Sequence, residues 1–157
     1  MAQTRVFHKI NNVAMHHIFD SPTGPVARDL FKRGIRVQSR ARKNLGGATG
    51  SGPKRVDTGL LRSTVFNELV TNGPQLRVRI GTRVFYGIYV HDGTGIYGPK
   101  GTRIYPVNGK FLVWKSSAYG AKKGKYAGYA FATSTKGMKP NPFLKEALPA
   151  ASLKVSA

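Results

Sequence analysis

The chain has no cysteine and only 6 carboxylates in 157 residues. The first absence excludes disulfides and thiolate metal sites, so any staple comes from packing or from a partner. The second makes a carboxylate-rich active site hard to build, because Asp20, Asp29, Asp57, Glu68, Asp92 and Glu146 are scattered along the chain. There is no apolar run of about eighteen residues and no basic-then-apolar leader ending in small residues, so neither a membrane span nor a signal peptide is expected. A protein used in the cytosol or released by lysis fits those absences. An apolar share of 40%, with 19 glycines and 9 prolines, points to a modest core and long loops in one domain.

What the chain has in excess is positive charge: 26 Lys plus Arg against 6 Asp plus Glu gives +20. Such an imbalance destabilises an isolated compact subunit by self-repulsion and favours an acidic partner, either nucleic acid or an acidic protein surface.

The order of elements reads as α+β: N-terminal amphipathic helices packed on an antiparallel β-sheet, then a C-terminal helix, with long glycine-rich loops. Residues 1–22 form an arm and a short helix, in which Asn11 or Asn12 caps Val13 to Phe19. The main helix occupies 23–45, with Thr23 or Gly24 near the cap and Pro25 in the first turn. Its wheel puts Val26, Ala27, Leu30, Phe31, Gly34, Ile35, Val37, Ala41 and Leu45 on an apolar half. Arg28, Lys32, Arg33, Arg36, Arg40 and Lys43 fall on the other half. Like charges four apart on a helix repel, and only Asp29 offsets them, so this face is expected to meet something negative, DNA or acidic protein. A mobile loop, 46–56, follows.

The 57–139 region reads as β-sheet with long loops. Ser63 to Thr71 and Leu76 to Ile80 alternate around an Asn72-Gly73-Pro74 turn, which gives a hairpin with one apolar and one basic face. Phe85 to Gly95 has helical spacing and a glycine stop. Phe111 to Trp114 and Phe131 to Thr135 read as strands, and lysines interleave with tyrosines over 115–129, which suits nucleic-acid contact or a protein-docking loop. In 140–157 Asn141 caps and Pro142 opens a final helix that Pro149 shortens.

Four enzyme-like signals are each better read as structure. His8, His16 and His17 suggest a metal, but adjacent histidines on a helix point about 100° apart and no acid or cysteine stands at ligand spacing. Gly47 and Gly52 have phosphate-loop spacing, but Pro53 stands where lysine is required. Asp57-Thr58-Gly59 matches the aspartic-protease signature, yet Lys54-Arg55 precede it and Leu60 follows, where an apolar strand and a small residue are needed. His91-Asp92 has no nucleophile motif beside it, and sequence neighbours rarely bond as base and orienter. No catalytic residue, cofactor or metal is expected.

Three motifs in order carry a resemblance. They are Val56-Asp57-Thr58-Gly59-Leu60-Leu61-Arg62-Ser63, Tyr86-Gly87-Ile88-Tyr89-Val90-His91-Asp92-Gly93-Thr94 and Asn141-Pro142-Phe143-Leu144-Lys145-Glu146-Ala147-Leu148. Over roughly residues 10 to 150 the chain resembles the neck proteins of long-tailed bacteriophages, the head-tail connector or tail-completion family. The helix after Asn11 and the Gly98-Pro99-Lys100 loop look like the versions from phages of actinobacteria, whereas the 115–129 loop is longer than the family's. The resemblance implies a non-enzymatic virion protein that forms a ring with itself, expected to be sixfold. That ring would lie between the head-side connector or portal and the tail terminator or tail tube, with genomic DNA bound non-specifically in or near its lumen and no membrane contact. It implies assembly in the host cytoplasm and residence in the virion neck.

On this reading Asp57, Thr58, Gly59, Leu61, Ser63, Tyr86, Val90, Gly93, Thr94, Pro142, Phe143 and Leu144 hold the fold. Lys54, Arg55, Lys100, Lys122, Lys123, Lys125 and Tyr126 lie in inter-subunit loops. The competing reading is a stand-alone, sequence-nonspecific nucleic-acid-binding protein, which composition alone allows. If Asp57 caps a turn, Asp57→Asn will cost at most about 1 kcal/mol in a urea titration, because asparagine caps equally well; a protease would instead lose cleavage and keep its stability.

Overall fold

A computed structural model of the protein describes residues 11–54, 58–71, 75–115 and 124–152. The elements in chain order are α1 (Asn12–Phe19), α2 (Pro25–Leu45), α3 (Leu60–Ser63), β1 (Val65–Val70), β2 (Arg77–Thr82), α4 (Gly87–Asp92), β3 (Leu112–Lys115) and β4 (Tyr129–Ala132). Short 3₁₀ helices cover Gly95–Tyr97 and Lys145–Ala151. The fold is mixed α+β. The arm at 1–10, Arg55 to Asp57, the Asn72-Gly73-Pro74 turn, residues 116–123 and the tail from 153 lie outside the described residues.

Local chemistry accounts for the helices. Asn11 caps α1 by accepting from the amides of Val13 and Ala14. Gly24 caps α2 and Pro25 opens it, where a missing N–H costs nothing. Gly59, at φ 81°, turns the chain into α3, and Gly93, at φ 80°, ends α4.

β1 and β2 form an antiparallel hairpin with Val65 opposite Thr82 and Val70 opposite Arg77. Period-2 alternation puts Val65, Asn67, Leu69, Val78 and Ile80 on one face and Phe66, Glu68, Val70, Arg77 and Arg79 on the other. α2 lies on the first face. The closest approach is at Gly34, where a Cβ would stand 2.7 Å from the Val78 Cγ1 and closer still to the Asn67 side chain. Gln38 and Arg42 reach past the end of the strand and both donate to the Val65 carbonyl, at 2.7 and 2.9 Å.

The core is small and lies where α2, β1, α4 and the C-terminal segment meet. Val37, Ala41, Leu45, Leu61, Val65, Val90, Phe143 and Ala147 pack together, with Ile80, Tyr86, Met138 and Leu144 around them. Gly95 and Gly137, both at positive φ, let the chain after α4 run backbone to backbone against residues 136–138.

Four sequence expectations change. The apolar arc of α2 is narrower than its wheel suggests: Phe31 and Ile35 are 41% and 43% exposed. At about 100° per residue they stand about 80° and about 120° round from the middle of the buried stripe. Instead of one sheet there are two separate two-stranded ones, because β3 pairs only with β4. The long connection after β2 carries this second hairpin away from the first. The last strand is Tyr129–Ala132, set by its pairing with Leu112–Lys115, and beyond it only an Ile104–Thr135 bridge remains. Finally, Asn141 does not cap a helix: its Oδ1, the atom a cap would accept through, has no partner, and its Nδ2 donates to the Pro53 carbonyl at 2.8 Å. The chain then turns tightly through Phe143 into a 3₁₀ helix that contains Pro149 and is not stopped by it.

Phe143 is fully buried at the centre of this core. Phe143→Ala will lower stability by about 3 to 5 kcal/mol in a urea titration, whereas Phe85→Ala, at an exposed site, will stay within about 0.5 kcal/mol of wild type.

Candidate interaction surfaces

The outer face of α2 carries Arg28, Lys32, Arg36 and Arg40 at every fourth position, all exposed, with Lys43 beside them. Successive members rise about 6 Å along the axis. Arg33 differs, since its Nε donates to Asp29 Oδ2 at 2.7 Å, one helical turn away, and the side chain is half-buried. It is the one member of the set expected to meet an acidic partner that has an acid of its own among the described residues. Among the described residues no carboxylate forms an ion pair with the other five. Where α1 meets the start of α2, His17, Thr23, Arg28 and Lys32 line an open cleft of about 320 Å³.

The glycine-rich segment after α2 reads from sequence as mobile; through Pro53 it is instead fastened to the C-terminal segment. Thr49 Oγ1 donates to Asn44 Oδ1 at 2.5 Å, and Asn44 Nδ2 donates to the Phe143 carbonyl at 3.1 Å. The Ser51 amide donates to Glu146 Oε2 at 2.9 Å and its hydroxyl to Glu146 Oε1. Gly52 passes so close that a Cβ there would stand 2.7 Å from Asn141 Oδ1. Of the loop cations, Lys54 is exposed at the end of this fastened segment.

The other loop residues scatter. Lys100 lies on the rim of a groove of about 480 Å³ lined by Ile88, Tyr89, Thr94 and Ile104. Lys125 stands over the Tyr126 ring, which meets Phe131 edge-on at 5.5 Å, so both belong to the second hairpin. Arg55, Lys122 and Lys123 lie outside the described residues, as does Asp57.

The motif residues come together differently. Leu61, Val90 and Phe143, one from each motif, share the core, with Tyr86 and Leu144 packed on it. Thr58 Oγ1 accepts from the Leu60 amide at 3.4 Å, and Ser63 Oγ donates to the Leu60 carbonyl at 2.9 Å. Thr94 clasps Met138 in both directions, its amide donating to the Met138 carbonyl and its Oγ1 accepting from the Met138 amide, each at 2.9 Å. Gly93 has no room for a side chain, with the Met138 carbonyl 2.9 Å from where a Cβ would be. The Pro142 carbonyl accepts from the Glu146 amide at 3.0 Å.

Two histidine readings need correction. His91 does bond its sequence neighbour, with Nδ1 2.6 Å from Asp92 Oδ1. Its ring lies edge-on to Phe143 at 5.5 Å, and no hydrogen bond joins the pair to a hydroxyl among the described residues. His16 also has an acid within reach: Asp20, four residues on, places Oδ2 2.8 Å from Nδ1. Among the described residues no third His or acid joins either pair to form a metal-sized cluster.

Sequence reasoning missed the Asn44, Ser51 and Glu146 ties. The one available signal was Asn44 itself, a polar residue interrupting the stripe of Val37, Ala41 and Leu45. The Ser51 hydroxyl, and secondly its amide, hold the Glu146 carboxyl below its ordinary range. A depressed folded-state pKa stabilises at pH above the unfolded value, about 4.3, and that contribution fades as pH falls through the folded value. Urea midpoints followed down from pH 6 will therefore fall more steeply below about pH 4.3 in wild type than in Glu146→Gln, the two profiles running parallel above about pH 5.

Comparison with protein-family models, with curated proteins and with solved structures finds no match.

Proposed function

We propose that the chain is a non-enzymatic structural subunit of the neck of a long-tailed bacteriophage, assembling with copies of itself into a ring between head and tail. The sequence motifs suggest the family. The observation that carries the ring is the apolar surface left outside the small core. Phe85 is 83% exposed and Val107 93%. On the second hairpin Val113, Tyr126 and Phe131 are exposed together on one side. A two-stranded hairpin is marginal by itself in water, and contiguous apolar surface of this kind marks an interface. Neighbouring subunits laid against the hairpin and against the groove beside α4 would complete both. The cationic face of α2 would remain for something negative outside the ring.

The net charge of +20 favours one other reading, a stand-alone protein that binds nucleic acid without reading sequence. The two separate in light scattering of the purified protein, at low and high salt, with and without duplex DNA. The ring reading expects a mass that is a multiple of the 17.1 kDa subunit at high concentration, unchanged by duplex at physiological salt. A monomer that binds duplex tightly, with affinity collapsing as salt rises, overturns it.

A further inference from the structure

We infer that the outer face of α2 docks an acidic amphipathic element of a different protein, in which carboxylates flank an apolar ridge. The inference deepens the reading of this face as a site for something negative and rests on that, not on the ring.

The first step is that a second copy of this chain cannot cover the face. Of its 6 carboxylates, Asp20 and Asp92 bond His16 and His91. Asp29 is taken by Arg33, and Glu146 by Ser51. Among the described carboxylates that leaves Glu68, which stands opposite Arg79 in the β1–β2 ladder. Even counting Asp57, which lies outside the described residues, a second copy offers at most two uncommitted acids, too few to neutralise Arg28, Lys32, Arg36, Arg40 and Lys43. The partner is therefore another molecule, and charge complementarity makes it acidic.

The second step separates protein from nucleic acid. Phe31 and Ile35 stand one turn apart on the same exposed side of α2, next to the cations, and each keeps more than 40% of its surface in water. A phosphate backbone offers nothing to these side chains, since its contacts are with charge and hydrogen-bond donors. A protein interface uses an apolar anchor inside a polar rim. Phe31 and Ile35, at i and i+4, form a ridge of the kind that packs into a partner helix, and Arg28, Lys32 and Arg36 run along its flank to meet carboxylates.

The test compares three probes by fluorescence anisotropy on the full chain in about 0.15 M NaCl, an ionic strength at which exposed charges are largely screened. One is a synthetic helical peptide with leucines along one stripe and glutamates elsewhere, one is polyglutamate of the same charge, and one is a random-sequence DNA duplex. The peptide is expected to bind tightest. The double variant Phe31→Ala, Ile35→Ala is expected to weaken it about tenfold or more, the loss of two interface anchors, and to leave polyglutamate unchanged. Arg28→Glu with Arg36→Glu will weaken peptide and polyglutamate alike, with circular dichroism melts confirming that each variant folds. Tightest binding to duplex that ignores Phe31 and Ile35 would assign the face to nucleic acid and overturn the inference. Binding of none of the probes, or peptide binding indifferent to the α2 variants, would also overturn it.

Discussion

Scarcity of carboxylates is the constraint that shapes this molecule. With 26 cationic side chains and 6 acids, ion pairs cannot serve as tertiary ties, and neutral amides take their place. Asn44 and Asn141 are buried and link segments 99 and 88 residues apart in the chain through Phe143 and Pro53. Gln38 and Asn67 do the same between α2 and the first hairpin. A buried amide is less costly to desolvate than a buried charge, even though the Oδ1 atoms of Asn67 and Asn141 are buried without a partner, and the bonds its Nδ2 or Nε2 donates fix one arrangement of the backbone around it. Among the described carboxylates the one used in this way, Glu146, works because Ser51 gives it two donors.

The same scarcity explains what remains open. Among the described residues the cations of α2 other than Arg33 meet no acid within the chain, and the core assembled by α2, β1, α4 and the C-terminal segment is too small to absorb the remaining apolar side chains. Positive surface thus stays exposed on α2, with Phe31 and Ile35 beside it, and the larger share of apolar surface stays exposed on the β3–β4 hairpin and around α4. A subunit with neighbours on its apolar surfaces and an acidic partner on its cationic one satisfies both. A single free copy satisfies neither.

How much of this was legible in the sequence depends on whether the deciding interaction is local. The cap at Asn11, the Gly24-Pro25 start of α2, the period-2 hairpin and the Gly93 stop could be read because each is settled within a few residues. Phe31 and Ile35 could not be placed, because a wheel gives the width of an apolar arc but not the width of the surface it will cover. Asn141 read as a cap because Asn-Pro usually starts a helix; its real partner, Pro53, is 88 residues away. The fastening of the glycine-rich loop had the same character, with Ser51 and Glu146 95 residues apart. The α2 cations were identifiable as a face, but not that Arg33 would be the one to pair with Asp29.

If uncompensated positive charge governs this molecule, screening it must stabilise the fold. The most direct measurement is the melting temperature of the purified chain at fixed low concentration as sodium chloride rises from about 0.02 to about 0.5 M, over which the screening length shortens from about 20 Å to about 4 Å. A steady climb of several degrees is the expected result, largest at the low-salt end. A melting temperature that is flat or falls with salt would mean that the charges are already compensated within the chain, and would contradict a subunit built to be completed by others.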